Sequence, residues 1–409
     1  MRYYLIAGEP SGDLHGANLI KGLKKSDPQA VFRFWGGDKM AAAAGSVAGA
    51  AGAENGTASA CEARREARSL QPAQEQEPLA RHYRTTSFFG IAAVLANLRT
   101  IMRQFKECKE DVVRFAPDVL ILIDYPGFNF KMAEFAHKHG IRTFYYISPK
   151  VWAWKEGRVR LIRKYVDKLF IIFPFEIEYF RKRGIEAIFE GNPLVDALME
   201  QIASMPTREQ FAAANGLDAG RPIVALLAGS RRSEIYYNLP FMVELSRCFP
   251  EHQFVVGGVS WLDRAQYDKR LICSDVRIVY DQTYTLLRHA EAAVVTSGTA
   301  TLETALIGTP EMVCYRVDPV SMAIAKLFIK IPYVSLVNII MGREVVRELL
   351  QWDMTMANAS AELTALLPGG AKRGAMLADF EELRRRVGGS GASERFAAKM
   401  VEILKNMDK

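Results

Sequence analysis

Four short polar stretches in the 409-residue chain each follow an apolar run, and each carries residues that could do chemistry. The first is Gly8-Glu9-Pro10-Ser11-Gly12-Asp13. It is not the Gly-x-Gly-x-x-Gly loop of a dinucleotide site, and Pro10 lacks the backbone N–H that a pyrophosphate would want. Glu9 and Ser11 suit a neutral, hydroxyl-rich ligand such as a sugar; Ser11 or Asp13 could equally cap a helix. The second is Asp124-Tyr125-Pro126-Gly127, closing the apolar run at 119–123. A carboxylate at a strand tip could take a proton from a sugar hydroxyl, although an aspartate also initiates turns through its own backbone. In the third, Gly229-Ser230-Arg231, the guanidinium offers a fork of donors to phosphate oxygens; otherwise Arg231 is a surface residue after a turn. In the fourth, Ser297-Gly298-Thr299, small residues open a helix whose N–H groups and dipole favour a phosphate or diphosphate. Glu303, one turn further on, could accept hydrogen bonds from ribose hydroxyls. The alternative is a plain N-cap followed by a helix-favouring Glu.

The elements that must hold these loops alternate in type. Strands are expected at 3–8, 31–35, 119–123, 143–147, 169–173 and 187–190, with helices between them, the first near 16–25. The pattern restarts near residue 200, with strands at 223–227, 253–257, 276–280 and 292–296 and a helix near 240–248. Alternation of this kind predicts an α/β protein with parallel sheets, and the restart predicts two doubly wound halves facing a cleft. In such sheets ligands sit beyond the carboxyl ends of the strands, where all four loops fall. Residues 1–198 form the first domain, 199–379 the second, and 380–409 a helical tail packing back on the first domain or on a partner copy.

Composition narrows the classes. Hydrophobic residues make up 49% of the chain and the formal net charge is +7, enough for large cores and suited to anionic ligands or an anionic membrane surface. There is no nucleic-acid-binding motif. The five cysteines show no Cys-x-x-Cys spacing and the six histidines no His-x-x-x-His pair, so no metal is expected and a reduced, cytoplasmic setting is. The first strand begins at once, which predicts no secretory leader, and no apolar run reaches the roughly 18 residues of a spanning helix.

Residues 41–80 are rich in Ala and Gly, then in Glu, Gln and Arg, a composition that cannot bury a core and predicts a flexible insertion. Beyond it Ile91, Val94, Leu95, Leu98, Ile101, Met102 and Phe105 recur at helical spacing beside Arg99, Arg103 and Lys106. Such a stripe faces either the core or lipid.

Taken together, "AGEPSGDLHGA", "PDVLILIDYPGFNF", "YYISPKVWAWKEGRV", "FPFE", "GNPLVD", "AGSRRSEI", "SGTATLETALIGTPEMVCYR" and "PYVSLVNIIMGREVVRELLQ" resemble the lipid-A-disaccharide synthase family, in order and from about residue 3 to 352. The resemblance implies an inverting glycosyltransferase of GT-B type, with two Rossmann-like domains and no cofactor. It implies that the 6-hydroxyl of 2,3-diacylglucosamine 1-phosphate attacks the anomeric carbon of UDP-2,3-diacylglucosamine, giving a β-1,6-linked disaccharide 1-phosphate and UDP. Asp124 matches the family's essential aspartate and Glu9 an essential loop glutamate; Arg231, Glu303 and Asn338 match residues tied to nucleotide binding or activity. Acylated substrates imply peripheral association with the cytoplasmic face of the inner membrane, with Ile91, Leu95, Leu98 and Met102 the candidate acyl contacts. A homodimer exchanging C-terminal elements is also implied. The 41–80 stretch departs from the family pattern, as does Ala228, where a proline is usual. Rival readings are another GT-B enzyme acting on UDP-N-acetylglucosamine and a non-catalytic nucleotide-sugar or lipid binder.

Overall fold

A computed structural model describes residues 1–45, 77–83, 98–153, 156–318, 322 and 332–407. Seven parallel strands form a first sheet: β1 (Arg2–Ala7), β2 (Val31–Gly36), β3 (Leu79–His82), β4 (Val119–Ile123), β5 (Thr143–Tyr146), β6 (Lys168–Ile171) and β7 (Ala187–Phe189), in the order β3-β2-β1-β4-β5-β6-β7. Six more form a second: β8 (Ile223–Leu227), β9 (Gln253–Gly258), β10 (Arg277–Tyr280), β11 (Ala292–Val295), β12 (Glu311–Tyr315) and β13 (Glu348–Leu350), in the order β10-β9-β8-β11-β12-β13. Strand order reverses between β1 and β4 in one sheet and between β8 and β11 in the other. These are the two switch points at which an open parallel sheet leaves a crevice for ligand.

The alternation along β1 explains the layering of the first half. Tyr3, Leu5 and Ala7 face one core with Val119, Ile121 and Ile123 of β4, while Tyr4 and Ile6 face another with Leu120 and Leu122. All five residues of β4 are buried, as a central parallel strand covered on both sides requires. The first face is covered by the helices Pro10–Ser26 and Ala392–Met407, which contributes Phe396, Ala397, Met400, Val401 and Leu404. The core of the second half gathers β8, β9, β11 and β12 and takes in Phe173 and Leu198 from the segment that joins the halves.

Several boundaries differ from the sequence expectation. The first helix begins at Pro10 rather than near residue 16, so Ser11, Gly12 and Asp13 lie in its first turn and only Gly8 and Glu9 form the connection. Proline at the first helical position forfeits an N–H that has no partner there anyway. Asp13 does not cap its own helix. Its carboxylate accepts the N–H groups of Gly37, Lys39 and Met40 and so caps the next helix, Asp38–Ala44. The helix expected near 240–248 runs Arg232–Ser246 with Pro240 inside it. Residues 198 and 199 lie within one helix, Pro193–Ile202, and residue 380 within another, Arg373–Val387, whose Phe380, Leu383 and Val387 join the core of the second half. The stretch 41–80 is framed by the end of the helix Asp38–Ala44 and by β3; residues 46–76 lie outside the described residues.

Candidate active site

At the first switch point, β1 and β4 deliver Glu9 and Asp124 side by side. Gly8 passes directly under the Tyr125 ring, where a Cβ would come within 2.4 Å of the ring carbons, so no larger residue fits. Glu9 is the extended residue before the helix Pro10–Ser26 and makes no side-chain cap, which leaves its carboxylate for other work. Asp124 and Tyr125 both adopt left-handed conformations (φ 43° and 47°), an arrangement that costs of order 1–3 kcal/mol per residue. Surrounding donors hold it in place. The Asp124 carbonyl accepts from Asn129 Nδ2 and from the Tyr145 hydroxyl, both at 2.7 Å, and its N–H donates to the Tyr146 carbonyl at 3.2 Å. The backbone is thereby pinned at the strand tip, where the residue is half-buried.

Electrostatics tie these groups to the other half of the molecule. Burial, and then the negative charge of Asp124, push the Glu9 carboxyl above its ordinary value; Arg231 and Lys150 oppose the shift. Burial also raises Asp124, with Lys150 and the Tyr125 N–H opposing. Residues that follow four strands, β1, β4, β5 and β8, thus share in the electrostatics of Glu9, Arg231 being the one from the second sheet. Ser11, exposed on the first helical turn, lies two residues from Glu9.

At the second switch point the loop after β8 turns through Gly229 (φ 104°) and is closed by Glu234. That carboxylate accepts the N–H groups of Ser230 and Arg231 at 2.9 and 3.2 Å and pairs with Arg231 Nη1 at 2.8 Å. The loop's backbone donors are thus occupied from within. The Arg231 side chain, 77% exposed, keeps its remaining guanidinium N–H groups for a ligand. The loop after β11 is different. Gly298 (φ 133°) has open space where a Cβ would stand, and it precedes the helix Thr299–Ile307 with no side-chain cap. The first-turn N–H groups there suit an anion. Ser297 spends its hydroxyl proton on the Val334 carbonyl at 2.9 Å. Glu303 accepts the Tyr284 hydroxyl on Oε1 at 3.0 Å; burial raises its carboxyl and that hydrogen bond opposes the rise.

Asn338, expected among the substrate-binding residues, lies inside the second half. It is fully buried, and its amide is satisfied by the protein alone: Oδ1 accepts from the N–H groups of Val345 and Val346, and Nδ2 donates to the Val346 carbonyl and to Glu348 Oε1. These bonds shape the turn between the helix Leu336–Met341 and β13. Of the expected acyl contacts, Ile91 and Leu95 lie outside the described residues, and only the backbone of Leu98 is described. Met102 is 57% exposed on the helix Leu98–Phe115, while Phe105 packs into the core.

Sequence reasoning passed over Lys150, Glu234, Tyr284 and Glu348. Three of them partner a residue that it did single out, and partnership across a loop leaves no local pattern. Lys150 could have been noticed as the one charge within the otherwise uncharged run 143–154 after a strand.

The profile of the lipid-A-disaccharide synthetase family matches residues 72–399. A lipid-A-disaccharide synthase from Geobacter sulfurreducens is 34% identical over 98% of this chain and 97% of its own length. Among solved structures, a UDP-GlcNAc 2-epimerase from Neisseria meningitidis bound to UDP-GlcNAc aligns over 98% of this chain and 100% of that one, at 13% identity and a TM-score of 0.66. A sucrose-phosphate synthase from Thermosynechococcus elongatus aligns over 100% and 99%, at 13% identity and a TM-score of 0.56. The structural likenesses show the GT-B arrangement of two parallel α/β domains. The sequence likeness, sustained over nearly the whole chain, shows more: the chain belongs to the lipid-A-disaccharide synthetase family.

Proposed function

We infer that the protein is a glycosyltransferase that joins UDP-2,3-diacylglucosamine to 2,3-diacylglucosamine 1-phosphate, forming the β-1,6-linked disaccharide 1-phosphate and UDP. The observation that carries this reading is the pairing of β1 with β4, which brings Glu9 and Asp124 to one switch point, together with the exposed Arg231 after β8 at the other. A transfer between two sugars needs a base at the acceptor and positive charge at the leaving diphosphate, and the two switch points supply one each.

The reaction is a single displacement. The acceptor's 6-hydroxyl oxygen forms a bond to the donor's anomeric carbon as the bond from that carbon to the diphosphate oxygen breaks. The hydroxyl proton passes to Asp124 and the electron pair leaves with UDP, so the configuration inverts. The leaving group departs as an anion and needs charge stabilisation rather than a proton. This is why one base suffices where a glycosidase needs two carboxyl groups. The first-turn N–H groups of the helix Thr299–Ile307, with Ser297 and Gly298 before it, and Arg231 receive that charge. Glu303 keeps one carboxylate oxygen for a ribose hydroxyl while Tyr284 holds the other. Glu9 and Ser11 orient the acceptor.

We further propose that residues 1 to about 190 form the acceptor domain and the remainder up to Val387 the donor domain. The helix Ala392–Met407 returns to the first. The acylated substrates would bring the enzyme to the cytoplasmic surface of the inner membrane through the part of the stripe that includes Met102. No helix among the described residues is long and apolar enough to cross a membrane, consistent with contact from one side. Exchange of C-terminal helices between two copies would reproduce the same contact in a homodimer.

The test is product analysis with purified protein and the two acylated substrates. Equimolar UDP and a β-1,6 disaccharide 1-phosphate are expected, with UDP-N-acetylglucosamine a poor donor. Epimerisation of UDP-N-acetylglucosamine, or free UDP without disaccharide, would overturn the reading.

A further inference from the structure

We propose that Lys150 seats the phosphate of the acceptor sugar. The assignment rests on the function inferred above and adds a substrate contact to it.

The argument begins with charge. An acceptor carrying a phosphomonoester must approach a pocket already holding Glu9 and Asp124, and like charges repel at this range unless a cation intervenes. Lys150 follows β5, whose neighbour in the sheet is β4; Tyr146 pairs with Ile123, one residue before Asp124. Its charge is felt most at Asp124 and less at Glu9 and at the buried Glu176, where other causes rank above it. Its side chain is exposed, and among the described residues no carboxylate lies within ion-pair distance of it. Arg231, by comparison, is already paired with Glu234.

The loop that carries Lys150 is firmly held. Ile147 turns the chain out of the strand with φ 65° while its N–H donates to the Phe170 carbonyl at 3.1 Å. Val151 is buried in the first domain's core, and its carbonyl accepts the Tyr179 hydroxyl. Trp152 donates its indole N–H to Glu176 at 3.1 Å and packs edge-on against Phe175. Glu176 in turn accepts the Phe173 N–H at 3.1 Å. With both flanking segments anchored, the ammonium can adjust only through its own four-carbon stem. A compact point charge on such a stem suits a phosphate, whose oxygens accept from any side.

Both substrates carry phosphate, and position separates them. The donor's diphosphate is met from the second sheet by the helix Thr299–Ile307 and Arg231. Lys150 belongs to the first sheet, beside the proposed base, where the acceptor must lie for its hydroxyl to reach Asp124.

The experiment compares Lys150→Gln and Lys150→Arg with the wild type on two acceptors, 2,3-diacylglucosamine 1-phosphate and the same sugar without its phosphate. It is run at a pH where the site carboxylates are fully ionised. For Lys150→Gln, kcat/KM on the phosphorylated acceptor should fall about 10- to 100-fold, the loss of one charge-assisted contact. On the phosphate-free acceptor it should change by less than about threefold, and the KM for UDP-2,3-diacylglucosamine should stay constant. Lys150→Arg should recover most of the loss. Equal losses on both acceptors would mean that Lys150 serves the carboxylates or the loop instead, and a raised donor KM would mean that it holds the diphosphate; either overturns the assignment, as would an unchanged variant. A wild-type enzyme that makes no disaccharide from either acceptor would overturn the inferred function, and the assignment with it.

Discussion

At the scale of single residues, the site depends on a carboxylate kept reactive by its surroundings. Burial raises both Asp124 and Glu9. A base works only when ionised, so activity must fall as pH drops through the raised value. The acid limb of kcat/KM is therefore expected above the range of an ordinary aspartate, near pH 4. A pH–rate profile at saturating donor checks this, and a limb at the ordinary value would mean that Asp124 is solvated and unperturbed. Asp124 and Glu9 were legible in the sequence because each ends an apolar run. Their mutual effect was not, since β1 and β4 are neighbours through a crossover of more than a hundred residues. Nor could the sequence reveal that Asp13, three positions after Pro10, serves the neighbouring helix instead of the ligand.

At the scale of elements, short connections and their caps decide where a functional group ends up. Asn338 is the clearest case. Its amide satisfies two N–H groups and a carbonyl ahead of β13 and bonds Glu348, which also accepts the N–H groups of Val334 and Ser335. Val334 in turn receives the Ser297 hydroxyl, so the anion loop leans on this turn. Asn338→Ala should cost about 1–3 kcal/mol for each N–H left buried and unpaired. Urea unfolding should register the loss alongside reduced activity. A variant of unchanged stability but raised KM would instead mark Asn338 as a substrate contact. Most strands were read from the sequence because a buried parallel strand is a continuous apolar run, but the short edge strands β3 and β13, and β12 behind its leading Glu311, were not. Helix starts were read less well, because prolines mislead in both directions: Pro10 begins a helix and Pro240 sits inside one.

At the scale of the whole molecule, two parallel sheets each carry a switch point, and the last helix closes the first domain. Phe396 meets Tyr146 edge-on at 5.2 Å and Phe170 at 6.1 Å between ring centres, within a core otherwise built from the first 172 residues and Ile188. Phe396→Ala should destabilise the first domain by about 3–5 kcal/mol, the range for a buried aromatic. Thermal unfolding should show it, and an unaltered Tm would contradict the packing described. The two-domain plan was legible because the strand–helix pattern restarts; the return of the C-terminal helix rests on contacts between residues more than two hundred positions apart. The account's central claim is that Asp124 takes the acceptor's proton while the other domain holds UDP. Its most direct test is Asp124→Asn, assayed for disaccharide formation and, separately, for UDP binding by calorimetry. Turnover should fall about 10²- to 10⁴-fold with UDP affinity unchanged. Near-normal turnover, or UDP affinity lost together with activity, would contradict the claim.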